Sequence, residues 1–168
     1  MSVAAFTKRL LFGRRDQIAQ TVYGTLIVMG AITAGSGAHA EPAELAAIVF
    51  ATVLVLWIAH VYAHGLGESI EQGRRLDRAE FVSVAHRESA HFVAALGPIA
   101  ALLLGAVGLL RESRAIWLAL GLGLATLVVQ GVRYARLEHV GGLGMVLAVA
   151  VNVLLGLVIL ALKLLVAH

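Results

Sequence analysis

Cysteine is absent from all 168 residues, which excludes disulfides, thiolate metal centres and thiol nucleophiles. Charge is scarce too: 14% of residues are Asp, Glu, Lys or Arg, against roughly 25% in soluble domains, too few to cover a water-exposed surface. Aromatic residues make up only 6%, which leaves little to wall a haem between helices, so bis-histidine haem ligation is set aside. No serine sits in a Gly-x-Ser-x-Gly elbow, and nothing points to nucleophilic catalysis or assigns the chain to an enzyme class. Proline occurs twice, at Pro42 and Pro98, so long helices meet few interruptions.

What remains is apolar. Hydrophobic residues make up 60% of the chain, and 18 glycines accompany many alanines. Small residues of this kind let membrane helices approach closely. The fold class is therefore all-α, an integral membrane helical bundle of one domain with the lipid bilayer as its main partner. The formal net charge is +3, but the basic residues flank apolar segments, so nucleic acid is not an expected partner.

In chain order, residues 1–16 carry Lys8, Arg9, Arg14 and Arg15 among Phe6, Leu10, Leu11 and Phe12, which reads as a basic amphipathic segment at a lipid surface. Residues 17–168 hold five expected spans, at about 17–35, 43–67, 88–110, 114–133 and 142–166. Asp16 is the expected cap of the first. A secretory signal is the rival reading of this region, since Ala38-His39-Ala40 before Glu41 resembles an A-x-A cleavage site. The long basic region and the span-length apolar stretch holding Tyr23 favour an uncleaved span.

Glu41-Pro42-Ala43-Glu44 opens the second helix, with proline at its first position and acids at the positive end of its dipole. Gly65 and Gly67 are its expected C-terminal caps. Asp77-Arg78-Ala79-Glu80 is a capping box with Leu76 and Phe81 as its staple, so the third helix is expected to start near 78 and continue to about 110. Pro98 is expected to kink it. Ser113 is the expected cap of a fourth helix over about 114–136, and a fifth follows Gly142, interrupted only by Asn152 and Lys163.

Orientation follows from the basic residues. With the N-terminus inside, Lys8, Arg9, Arg14, Arg15, Arg74, Arg75, Arg78, Arg87, Arg133 and Arg136 collect on the inner side, against Arg111, Arg114 and Lys163 outside. Ten against three favours N-terminus in and C-terminus out.

On that topology the polar residues gather toward the inner ends of the helices. His60, His64 and Glu68 recur every four residues and share one helix side with Trp57, within about 80° of arc, while Tyr62 points away. Arg87, Glu88, His91 and Pro98 share a side of the third helix, and His86 lies off it. Tyr23 and Gln20 mark the inner end of the first helix, Thr126 and Gln130 that of the fourth. The candidates for ion or proton handling are His60, His64, Glu68, His86, Glu88, His91 and Tyr23, because ionisable groups within spans are costly and line proton or ion paths.

A second reading is a metal site at His60, His64, Glu88 and His91. His-x3-His and Glu-x2-His are helical spacings suited to Zn, Fe or Mn, although a di-iron bundle needs a second Glu-x-x-His and two further glutamates. No cofactor is required by the sequence. A third reading is a structural or partner-binding subunit, in which His60 and His91 hydrogen-bond across helices, Glu88 pairs with Arg87 or a basic linker residue, Trp57 packs, and Lys163 and Arg133 snorkel. Five helices rich in small residues enclose little interior, which points to a homo-oligomer; a protein partner and the substrate stay open.

Tyr23-Gly24-Thr25, Trp57-Ile58-Ala59-His60-Val61-Tyr62-Ala63, Leu66-Gly67, His86, Pro98 and Leu162-Lys163 carry a resemblance over nearly the whole chain. The chain resembles an uncharacterised family of small actinobacterial integral membrane proteins, with a Tyr-Gly-Thr first span and a Trp-x-Ala-His-x-Tyr-Ala second span. The resemblance implies a location in the bacterial cytoplasmic (inner) membrane and no particular activity. His60 and His86 fall on its pattern, His64 and His91 do not.

Overall fold

Apolar runs this long satisfy their backbone polar groups internally only as helices, and the computed structural model, which describes residues 15–166, is helical throughout. Its elements are α1 (Arg15–Gly37), α2 (Pro42–Gln72), α3 (Arg78–Arg87), α4 (Ala90–Ala106), α5 (Glu112–Leu137) and α6 (Gly142–Val166), with no strand among the described residues. Helices α1, α2, α5 and α6 are each long and apolar enough to cross a membrane. The span expected over 88–110 joins them only if α3 and α4, bent by 44° at their junction, count as one. The basic segment expected over 1–16 lies outside the described residues except where α1 begins.

Several boundaries differ from expectation. Because α1 already includes Arg15, Asp16 lies inside the helix rather than ahead of it. Helix α5 is capped by Arg111, which is extended (φ −61°, ψ 141°), so Ser113 sits within the first turn. Helix α2 runs through Gly65 and Gly67 and stops at Gly73, whose φ of +63° glycine adopts without steric cost. Gly73→Ala is expected to lower stability by about 1 kcal/mol, read as a drop in thermal midpoint; an unchanged midpoint would show that the cap is dispensable.

Gly65 has another use. A Cβ there would lie 3.8 Å from Leu76 and 3.9 Å from Phe81, so the staple flanking the start of α3 packs onto α2 at this glycine. The capping box itself is formed. Asp77 Oδ1 accepts from the Glu80 amide and Glu80 Oε2 accepts from the Asp77 amide, both at 2.8 Å. Arg74 donates to both Glu80 oxygens, at 3.0 and 2.5 Å.

Those bonds, the one from Arg74 foremost, hold the Glu80 carboxyl below the usual carboxylate range. A lowered folded pKa contributes stability above the unfolded pKa, and that contribution is lost as pH falls through the folded value. The first turn of α3 should therefore lose amide protection on acidification before the rest of α3 does. Uniform protection across α3 during the titration would contradict this.

Helix α1 lies at the centre, packed against α2, α4, α5 and α6. Val28, Met29 and Ile32 of α1 meet Leu45, Val49 and Val53 of α2, Leu102 of α4 and Leu120 and Leu127 of α5 in one buried cluster. Close approach depends on glycine: a Cβ on Gly131 of α5 would stand 2.9 Å from the Val149 Cα of α6. At the α1 C-terminal end, Lys163 donates to Ser36 Oγ at 2.6 Å and lies 5.6 Å from the Trp117 ring, tying α6 to its neighbours instead of reaching outward. Arg133 likewise donates to Gln130 Oε1 at 3.1 Å.

Candidate functional site

The site is built where α3 gives way to α4. At Glu88–Ser89 the regular ladder is replaced by three-residue bonds: Ser89 N donates to His86 O (3.3 Å), His91 N to Glu88 O (3.5 Å) and Phe92 N to Ser89 O (3.1 Å). The Ser89 hydroxyl also donates to His86 O at 2.7 Å, a local bond that competes with helix continuation. The Ala85 carbonyl accepts from the Trp57 indole N–H of α2 at 3.0 Å. Trp57 also lies 5.8 Å from the Phe92 ring, so one side chain braces both sides of the break.

The single helix expected from 78 to about 110 is thus two helices. The recorded bend falls at Glu88–Ser89, and α4 is continuous through the buried Pro98. Trp57→Phe keeps most of the packing and deletes the bond to Ala85; it should cost about 1 kcal/mol, measured by thermal unfolding. No loss would show that the break needs no brace.

The break turns Glu88 inward. Its side chain is 4% exposed, with Oε1 3.0 Å from His64 Nδ1 on α2 and Oε2 accepting from Gln20 Nε2 on α1 at 2.9 Å. Oε2 is also 3.8 Å from His91 Nε2, beyond hydrogen-bond length. His91 is fully buried, and neither of its ring nitrogens has a hydrogen-bond partner. Its backbone lies close to α1, since a Cβ on Gly24 would be 3.1 Å from His91 Nδ1 and 3.4 Å from its Cα.

The remaining rings close the cluster. His60 lies 4.7 Å from His91, 6.1 Å from His64 and 5.9 Å from Tyr23, and Tyr23 lies 6.4 Å from His91, measured between ring centroids. His60 Nδ1 is 2.9 Å from the Leu56 carbonyl, which can only accept, so Nδ1 carries the hydrogen and Nε2 is left as the basic nitrogen of the neutral ring.

Five of the seven expected residues therefore meet: Tyr23, His60, His64, Glu88 and His91. Two do not. Glu68 forms an ion pair with Arg87 at the rim, which takes away the partner expected for Glu88. His86 of α3 is exposed. Gln20, placed by the sequence only at a helix end, proves to be a direct partner of Glu88. It carries no charge, and nothing near it in the sequence marks it out.

The cluster runs from outside to inside. His64 is half exposed, Glu88 and His91 are buried, and all are groups that can gain or lose a proton. For a metal, Glu88 and His60 Nε2 supply donor atoms, but among the described residues no three His, Asp or Glu side chains are placed as a group that could hold an ion.

The fold and site together define a class: an all-helical bundle with four or five membrane-length apolar helices and a His/Glu/Tyr cluster at one end. No protein-family model matches the chain, and neither a curated protein nor a solved structure is similar to it.

Proposed function

We propose that this is a multi-pass membrane protein that handles protons, or a cation in their place, through the Tyr23–His60–His64–Glu88–His91 cluster. One observation carries the reading: a buried carboxylate stands between an exposed histidine 3.0 Å away and a wholly buried one 3.8 Å away. Titratable groups stepped from surface to interior in this way are what a proton relay needs. The excess of basic residues around this end orients it toward the cytoplasm, with the N-terminus in and the C-terminus out. The family resemblance supports the bacterial inner membrane, and five helices rich in small residues that enclose little interior support a homo-oligomer.

The reading is tested in liposomes with an imposed pH gradient. Wild-type protein should dissipate the gradient faster than protein-free liposomes, and Glu88→Gln or His60→Ala should slow it. Wild-type flux equal to that of empty liposomes removes the proposal.

A structural or partner-binding role is the second reading, favoured by the way Glu88 ties Gln20 of α1 to His64 of α2. His91→Leu separates the two. An unpartnered buried imidazole costs stability, so an apolar replacement should leave the protein as stable or raise stability by about 1–2 kcal/mol. Under the proton reading the same variant loses flux. Lower stability with unchanged flux would support the structural role. Stoichiometric metal that disappears in His60→Ala would move the reading to a His/Glu metal centre instead.

A further inference from the structure

Glu88 Oε2 has two claimants. Gln20 Nε2 of α1 donates to it at 2.9 Å, while His91 Nε2 of α4 stands 3.8 Å away and makes no bond. Among the described residues, five buried side-chain polar atoms lack a hydrogen-bond partner, and three of them are Gln20 Oε1, His91 Nδ1 and His91 Nε2. The unmet polarity therefore gathers around this one carboxylate. Buried polar atoms are nearly always paired, so an imidazole left unpaired beside an acceptor implies something that keeps the two apart.

Distance is a small obstacle. Movement of about 1 Å would bring His91 Nε2 to hydrogen-bond length. Glu88 and His91 lie three residues apart at the helix break, where the His91 amide meets the Glu88 carbonyl at a long 3.5 Å. A Cβ on Gly24 would stand 3.1 Å from His91 Nδ1, so the α1 backbone supports the ring behind that nitrogen. The carboxylate, by contrast, is pinned at both oxygens: Oε1 lies 3.0 Å from His64 Nδ1, and Oε2 accepts from Gln20. Only the Gln20 bond occupies the oxygen that stands 3.8 Å from His91.

We propose that Gln20 is a positioning residue for proton transfer, its amide holding Glu88 Oε2 off His91 except while a proton passes between them. A proton on Oε2 weakens the Gln20 bond, since a neutral carboxyl oxygen is a poorer acceptor than a carboxylate. The hydrogen is then given to His91 Nε2, which becomes imidazolium as Glu88 returns to carboxylate. Once His91 gives the proton up, Gln20 holds Oε2 again; without Gln20 the pair stays closed and the proton is trapped. His60 and His64 of α2 and Tyr23 of α1 are the other titratable groups around the pair, and Arg87 is taken by Glu68. The inference rests on the proton reading for its purpose and on the contacts alone for its geometry.

The test is NMR of the full chain in nanodiscs with isotope-labelled histidine, the His91 signal being the one missing from His91→Leu. Gln20→Met removes the donor and nearly keeps the side-chain length. It should bring up a far-downfield proton on His91 Nε2, the sign of a bond to a carboxylate, which wild type lacks. Combining it with Glu88→Gln should abolish that signal. Proton flux in liposomes should fall about tenfold in Gln20→Met, the worth of one hydrogen bond to a charged group. Gln20→Asn, whose amide stops one methylene short, should behave the same way. Size-exclusion profiles matching wild type identify the folded variants, and either one suffices. An unchanged His91 spectrum in a folded variant, the downfield signal already in wild type, or wild-type flux in a variant that shows the signal would overturn the proposal. Loss of fold in both variants would also overturn it, by making Gln20 a structural tie. The spectrum is read without flux, so wild-type liposomes no faster than empty ones would remove the proton reading and leave the Gln20–Glu88–His91 geometry standing.

Discussion

Glu88→Ala should destabilise the bundle by about 2–3 kcal/mol, whereas Glu88→Gln should stay folded and lose proton flux. The alanine variant removes the acceptor of Gln20, which is partly buried, and leaves a void beside the fully buried His91. His64 also loses its partner, but its side chain is 54% exposed, so that contact adds less than the one to Gln20. Glutamine keeps an oxygen to accept from Gln20 and nearly the same volume, and gives up the charge, the second acceptor oxygen beside His64 and the ability to exchange a proton. Detergent-resolved thermal unfolding and liposome flux, measured on the same preparations, separate the two effects. Glutamine-variant flux equal to wild type would mean that Glu88 holds helices together and does nothing else.

Gly131→Leu carries the second large effect, about 3 kcal/mol or more, with Gly131→Ala expected at about 1 kcal/mol. The added Cβ meets Val149 Cα at 2.9 Å and Val149 Cγ2 at 3.1 Å, and a backbone atom cannot rotate away as a side chain can. Helices α5 and α6 must separate, and in a bilayer little but close packing holds them. Gly121 is the matched control. Nothing stands within 4 Å of a Cβ there, so Gly121→Leu should fall within about 0.5 kcal/mol of wild type. Equal unfolding midpoints for the leucine variants at 121 and 131 would rule out tight α5–α6 contact.

What was legible in the sequence was local or periodic. The Glu41-Pro42 start and the Asp77/Glu80 box depend on neighbours three residues apart, and both form. Helical phase placed His60 and His64 on one face and Glu88 with His91 on another, and the structure brings those faces together with Tyr23. Gly65 misled because a glycine under a packing contact and a glycine in a cap look alike in one dimension. The break at Glu88–Ser89 left no mark, since neither glycine nor proline sits there. Helical phase put Arg87 beside Glu88, but the bend sends one out to Glu68 and the other in to Gln20. Gln20 acquires its meaning only from a carboxylate 68 residues away.

The bend at Ser89 also sets a length. Helix α4 alone has 17 residues, so at about 1.5 Å per residue it rises about 26 Å, short of the roughly 30 Å hydrocarbon thickness of a bilayer. If α4 alone crossed the hydrocarbon, with α3 lying outside it, lipid beside α4 would thin or headgroups would dip to match it. Such a dimple would form where Glu88 lies, bringing the aqueous phase to a carboxylate that a straight helix of full span would have kept deep in oil.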